Sequence, residues 1–401
     1  MSETTPFDPS EHTHRRYNPL SRSWVLCSPH RTKRPWQGAQ ESAEVPQLPE
    51  YDPKCYLCPG NERATGEKTP SYSSTHMFEN DFAALKPETA VGRPQDINPH
   101  PLIRSQPARG RCFVICFNPA HNLTIANLST PPYSPSTHIV PIIEAWKAAY
   151  ASIPLDNPFV KYIQIFENKG SAMGCSNPHP HGQVWSLDYV PEEPGKALAS
   201  QWEYAQNPSN DREGDPKSVN GRPNLLLTYA KWEMDQPGTP RVIASNEDWI
   251  AVIPYWAVWP FEVLVLPRSA HLNHLLAFSS AQVQSFAAIM GEVTLRYDNL
   301  FECSFPYSMG LHQRPLPPRK ASSLSEEQKI EELQWDEAQF HVHFYPPLLR
   351  SKTVKKFQVG FEMLGEPQRD LTAEQAAKQL RDVDTKEHYT VRITKGDAGA
   401  A

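Results

Sequence analysis

The decapeptide SNPHPHGQVW, residues 176–185, sets His179 and His181 two positions apart around Pro180 and follows them with Gly182 and Gln183. In extended backbone, residues i and i+2 share a face, so both imidazoles project together. Pro180 fixes its own φ and biases His179 toward extended geometry, which holds that separation. Gly182 permits close approach of the backbone to a ligand, or a positive φ. Gln183 supplies an amide donor that carries no charge and releases no proton. Paired histidines on so constrained a string point to metal ligation, to nucleophilic attack, or to one of each. The plain alternative is a tight turn with incidental histidines. A histidine that attacks phosphorus needs a neutral ring and a partner on its other nitrogen.

Upstream, Cys55 and Cys58 form a C-x-x-C pair. Two intervening residues let both sulfurs face one ion, which is half of a tetrahedral zinc site. His121 and His179 are candidates for the other half. A redox pair, or two unpaired buried thiols, is the competing reading.

Composition narrows the classes. The chain has 401 residues, 21% of them charged, and a formal net charge of -6, so no global basic field argues for nucleic acid. The 41 prolines imply long ordered loops, since aromatic residues are also plentiful. No apolar run is long enough for a bilayer, and the first residues lack the apolar core of a signal peptide. An odd cysteine count without such a leader favours reduced thiols and a cytoplasmic setting.

The elements that position the histidines are read from periodicity. Trp24–Cys27, Arg111–Asn118, Tyr162–Glu167 and the QVWSL stretch from Gln183 read as strands, and 142–151 as a helix. Ser280 is a candidate cap for a helix carrying Val283, Phe286, Met290, Val293 and Tyr297, and Thr372 with Gln375 for a capping box. Polar stretches at 207–224 and 314–332 read as loops. A weak internal repeat links FVICFNPAHNLTIANLS (113–129) to VLVLPRSAHLNHLLAFS (263–279). It extends upstream from residues 79–85 to 246–252, and downstream it sets His179/His181 against His341/His343. The pattern predicts an α+β fold of two related units, each ending in a strand with an H-x-H.

The stretch NKGSAMGCSNPHPHGQVW resembles the active-site strand of the galactose-1-phosphate uridylyltransferase family of the histidine-triad superfamily. The resemblance extends over SPHRTKRPWQG (28–38), FENDFAAL (78–85), VICFNPAH, VIPYWAVWPFEVLVLPRSAH (252–271), RYDNLFECSFPYSMG (296–310), HFYPPLLRS (343–351) and GFEMLGEPQRDLTAEQAA (360–377). It implies two fused histidine-triad-like units with antiparallel sheets, 1–194 and 195–401. It implies UMP exchange between UDP-glucose and galactose 1-phosphate through a covalent uridylyl-histidine, in a homodimer whose sites draw on both subunits.

By that resemblance His181 is the nucleophile and Gln183 holds the phosphoryl oxygens, where related hydrolases carry a third histidine. Cys55, Cys58, His121 and His179 match zinc ligands. Arg31, Arg34, Phe78 and Asn80 match residues around the nucleotide, and Asn168 and Ser176 match phosphate contacts. Lys356, Phe357, Val359, Glu362 and Gln368 match those around the hexose phosphate, while Phe361 stands where some relatives carry Tyr. His312, His341 and His343 match a second metal site for iron or zinc. Its fourth ligand, a glutamate in relatives, falls on Ala197, with Glu193 or Glu203 as replacements.

Overall fold

The computed structural model describes residues 6–33, 48–88, 100–317, 325–351, 354–356 and 358–398. Strands β1 (His14–Asn18), β2 (Ser23–Cys27), β3 (His76–Glu79), β4 (Gly110–Cys116), β5 (Tyr162–Lys169), β6 (His181–Leu187), β7 (Val242–Ser245), β8 (Trp249–Val252), β9 (Val263–Pro267), β10 (Tyr307–His312) and β11 (His341–Tyr345) rest on alternating patterns, as in β5, β6 and β10, and on continuous apolar runs, as in β8 and β9. A hairpin of β12 (Leu348–Ser351) and β13 (Val354–Lys356) follows, then β14 (Gln368–Arg369). The helices are α1 (Ile125–Leu128), α2 (Val140–Asp156), α3 (Glu192–Gln206), α4 (Leu225–Asp235), α5 (Ser280–Phe301), α6 (Glu326–Asp336), α7 (Phe361–Leu364), α8 (Ala373–Arg381) and α9 (Tyr389–Ala398).

One nine-stranded sheet, in the order β3-β4-β6-β5-β10-β11-β9-β8-β7, dominates the molecule. All its pairings are antiparallel. The small sheet β1-β2-β14 adds one parallel pair, β2 with β14. The α+β class with antiparallel sheets and a duplicated unit is therefore observed. The halves meet at β5 and β10, so they share one sheet. The expected division after residue 194 falls within α3.

A single row of paired residues crosses this sheet: Phe78, Val114, Gln183, Phe166, Gly310, His343, Leu264, Val252. Gln183 and His343 stand at equal distance from its centre. The pairing thus aligns Gln183 with His343 and His181 with His341. The expected match of one H-x-H onto the other is off by two residues; His179 corresponds to Gln339. The upstream echo also fails, because ENDFAAL begins at the last residue of β3 whereas NEDWIAV runs into β8.

Paired residues share a sheet face, so the row sorts everything else. Ile165, Val184, Leu311, Val342 and Phe344 face one way and pack under α2 and α5, against Trp146, Phe286, Met290 and Tyr297. On the opposite face α3 and α4 cover the second half through Ala197, Leu226 and Ala230. The 48–72 loop covers β4 through Leu57, Cys55 and Cys58. A buried ion pair, Lys169 Nζ to Asp298 Oδ1 at 2.8 Å, with His388 Nε2 3.2 Å from Asp298 Oδ2, ties β5 to α5 and to the segment before α9.

The expected capping box and the expected serine cap are both present in kind. Thr372 caps α8 with Gln375, and α5 is capped by Ser279 with Gln282, one residue earlier than expected. The 314–332 stretch differs. Its later part is helix α6, opened by a capping box of Ser325 and Gln328, and Arg314 is buried against Glu332 and Asp336.

Gly291 lets α5 approach the end of α1: an added Cβ would meet Ser129 Cβ at 2.7 Å and Ile139 Cδ1 at 3.0 Å. In an exposed helix Gly→Ala gains about 1 kcal/mol. Overpacking costs about 1–3 kcal/mol, so the clash decides the sign. Gly291→Ala should lower the denaturant midpoint, measured by equilibrium unfolding.

Candidate active site and metal centres

Cys55, Cys58, His121 and His179 converge at the edge of β4 and β6, each buried, with one donor atom apiece within 4.8 Å of the others. Cys58 Sγ lies 3.5 Å from Nδ1 of both His121 and His179. His179 Nε2 donates to the Asn118 carbonyl at 2.9 Å, which leaves the Nδ1 lone pair for the cluster. Burial pushes the His179 pKa down to about 4 and lowers that of His121, so both rings are neutral. Burial raises the Cys58 thiol to about 11 where no cation is present. A divalent ion would reverse that preference, since it binds the thiolate. Neutral imidazoles beside two sulfurs, with the far ring nitrogen of His179 already bonded, fit a metal ion.

The same loop reaches His181. Asn177 Oδ1 accepts from the His179 backbone N–H at 2.9 Å, and its Nδ2 lies 3.4 Å from Cys55 Sγ. His181 opens β6, opposite Cys116 of β4. Its Nδ1 donates to the His179 carbonyl at 2.7 Å, and burial lowers its pKa. With Nδ1 carrying the proton, Nε2 holds the lone pair, the form that attacks phosphorus. Gln183 and Trp185 follow on the same half-open face. Gly182 turns its missing side chain to the other face; a Cβ there would lie 2.9 Å from Phe117 Cζ and 3.0 Å from the Phe166 carbonyl.

The other expected residues separate into groups. Asn168 closes on the same sheet face from β5, its Oδ1 bonded by Ser308 Oγ at 2.7 Å. Ser176 is exposed on the loop before His179. Phe78 lies in the Gln183 row on β3, with the Arg63 guanidinium 4.2 Å above its ring. Asn80 follows it, bonded through its N–H to the Cys112 carbonyl at 2.8 Å. Arg31 lies in the 3-10 turn Pro29–Lys33 beyond β2. Arg34 and Phe357 lie outside the described residues. Lys356 ends β13. Val359 is exposed, Glu362 pairs with Arg369 at 3.4 Å, and Gln368 Nε2 bonds Ser28 Oγ at 3.4 Å. These last contacts tie Glu362 of α7 to β14 and Gln368 to Ser28, just past β2.

His312, His341 and His343 form a second cluster on the same sheet face, their donor nitrogens within 4.8 Å. His312 Nδ1, His341 Nε2 and His343 Nδ1 are buried without hydrogen-bond partners. Burial holds His312 at about 3 and His341 at about 4, and His343 well below its ordinary value. Three neutral rings with free nitrogens aimed together fit a metal ion. His341 Nδ1 bonds the Gln339 carbonyl at 2.8 Å, just as His181 bonds His179. Neither expected glutamate reaches this cluster: Glu193 bonds Lys196 and Glu203 bonds Arg22, both at the surface. Ala197 instead lines a cavity of about 10 Å³ with His312, His341, Tyr162 and Gln339.

Asn177, Asn118 and Trp185 were not anticipated as site residues. Asn177 and Trp185 lie inside the opening decapeptide, two residues from His179 and Gln183 respectively, and the i, i+2 rule applied there finds both.

A neutral histidine at the mouth of an antiparallel α+β sheet, flanked by amides and a thiol–imidazole cluster, is an arrangement suited to group transfer at phosphorus. Residues 4–191 match the galactose-1-phosphate uridyl transferase N-terminal domain, and 201–393 the C-terminal domain. The chain belongs to the galactose-1-phosphate uridylyltransferase family. It is 48% identical over 396 residues to the galactose-1-phosphate uridylyltransferase of Saccharomyces cerevisiae, covering 96% of this chain and 99% of that one. The Haemophilus influenzae enzyme of the same name is 45% identical over 389 residues, covering 97% and 99%. The fold is also that of an ADP-glucose phosphorylase from Arabidopsis thaliana, with TM-score 0.64 and 20% identity, covering 93% of this chain and 99% of that one.

Losing one sulfur from the first cluster should weaken its hold on a metal ion and loosen the loop that carries it. Cys58→Ser should show a loss of bound divalent metal by elemental analysis and a lower melting midpoint, because metal binding and folding are coupled.

Proposed function

We propose that this protein transfers UMP from UDP-glucose to galactose 1-phosphate through a covalent intermediate on His181. The observation that carries the reading is the His181 ring, neutral, with Nδ1 bonded to the His179 carbonyl and Nε2 left to react. In the first half-reaction Nε2 forms a bond to the α-phosphorus of UDP-glucose, and the bond to the bridging oxygen breaks. Glucose 1-phosphate leaves as a stable anion whose second pKa is about 6, so it needs no strong acid. In the second, a phosphate oxygen of galactose 1-phosphate attacks the same phosphorus and His181 departs, giving UDP-galactose. The Nδ1 proton stays on His181 throughout.

The residues divide accordingly. Gln183, Asn168 and Ser176 contact the phosphate, and Phe78, Asn80, Arg31 and Arg34 the nucleotide. Cys55, Cys58, His121 and His179 hold zinc, the ion that two thiolates and two imidazoles suit in a tetrahedral site. That zinc supplies structure; it fixes the Asn177–His179 loop from which His181 projects. His312, His341 and His343 hold a second ion, zinc or iron, in a neutral three-nitrogen site. The two repeats are 1–194 and 195–401.

Lys356, Phe357, Val359, Glu362 and Gln368 serve the hexose phosphate of the partner's site in a homodimer. Exposed Val359, Phe361, Met363 and Leu364 form an apolar patch beside Glu362, and a second copy of the chain would cover it. No helix among the described residues is long and apolar enough to cross a membrane.

An amide at position 183 contacts phosphoryl oxygens without offering water a proton relay. Gln183→His should slow transfer to galactose 1-phosphate and speed loss of the adduct to UMP, because imidazole exchanges protons near neutral pH. The readout is UMP released per UDP-galactose formed at fixed substrate concentrations. A ratio that is unchanged or lower in the variant contradicts the role given to the amide.

A further inference from the structure

The indole N–H of Trp185 donates to Gln183 Oε1 at 2.9 Å. Both side chains lie on the face of β6 that carries His181, two residues apart. An indole nitrogen is a donor only and has no acceptor capacity. It therefore bonds the amide through oxygen, and the NH₂ group is left facing away from the indole. Trp185 is itself fixed, its ring standing edge-on to Phe166 at 5.6 Å and 75°. Asn168 is treated in the same way: Ser308 Oγ donates to its Oδ1 at 2.7 Å, and Ser308 is its partner in the β5–β10 pairing. Both amides beside His181 thus have their oxygens occupied by donors from within the sheet.

We infer that Trp185 is a positioning residue that locks the Gln183 amide with its NH₂ group toward the phosphoryl oxygens. This rests on the proposed phosphate contact of Gln183. A free glutamine side chain has two amide orientations of similar energy in water, and only one offers hydrogens to an anion. The flipped amide would set a carbonyl oxygen against a negatively charged phosphate. The indole bond removes that state, and by polarising the amide it also strengthens the outward N–H donors. In the second half the equivalent pair is His343 with Tyr345, whose rings stack at 5.1 Å and 11°. There the clamp has no amide to hold, and the site is built for a metal instead of an anion.

Trp185→Phe keeps an aromatic ring against Phe166 and deletes only the donor. Uridylylation of His181 and its reversal should both slow, on the order of fivefold, the size expected for one lost hydrogen bond of ordinary strength. The loss should appear in kcat with little change in KM for UDP-glucose, since the amide contact tightens as charge moves onto the phosphoryl oxygens. The decisive measurement is a double-mutant cycle with Gln183→Ala, with Trp185→His as the conservative variant, because its ring can restore an N–H donor. Three results together are expected. Gln183→Ala is strongly impaired alone, Trp185→Phe adds nothing in that background, and Trp185→His recovers part of the rate. If Trp185→Phe is silent, or costs the same with and without Gln183, the inference is overturned while the phosphate role of Gln183 stands. If Gln183→Ala itself leaves exchange intact, the underlying reading of Gln183 fails.

Discussion

The register of one antiparallel sheet governs everything chemical in this molecule. Gln183, Phe166, Gly310 and His343 are paired in a single row, so they share a face. Side chains alternate with a period of two, and a slip of one residue in any of these pairings would turn the whole set into the core. The buried opposite face, with Ile165, Val184, Leu311 and Val342 under α2 and α5, is what prevents that slip. Hydrophobic packing on one side thereby places imidazoles and amides on the other.

The duplication explains why two different sites lie on one sheet. His181 and His341 occupy matching positions and hold their rings by the same bond, Nδ1 to the carbonyl two residues back. What separates them is their neighbours. Gln183 beside His181 is replaced by His343 beside His341, so an amide gives way to a third imidazole nitrogen. Cover differs too: α3 and α4 close over the second half and bury its histidines, whereas the face of β6 stays half open. Burial of an uncompensated cation is costly, so the enclosed imidazoles are neutral and suited to an ion that brings its own charge.

Much of this is legible in the amino-acid sequence where the cause is local. The decapeptide shows its geometry through Pro180 and alternation, and the strands around it show theirs through β-branched residues. The Thr372 box was readable because capping is a contact between residues three apart. The same signal stood at Ser325 and Gln328, but the charged, polar run around it reads as a loop until Trp335 and Arg314 are seen to anchor it. The pairing of the repeats was not legible. Two H-x-H strings invite alignment by letter, but the pairing of β5 with β10, Phe166 opposite Gly310 from far along the chain, sets their phase, and no local pattern carries it. The fourth ligand expected at the second cluster was likewise a matter of tertiary placement, since Glu193 and Glu203 sit on α3 but turn to Lys196 and Arg22.

The central claim is that the sheet presents His181 Nε2 as a nucleophile and that the bond it forms to phosphorus outlives the departure of the sugar phosphate. Mixing the protein with UDP-glucose alone and weighing the intact chain tests this directly. A mass increase of one uridylyl group is expected on the wild-type chain, discharged when galactose 1-phosphate is added and absent in His181→Asn. An unmodified wild-type chain that still exchanges UMP between the two sugars, or an adduct that persists in His181→Asn, would contradict it.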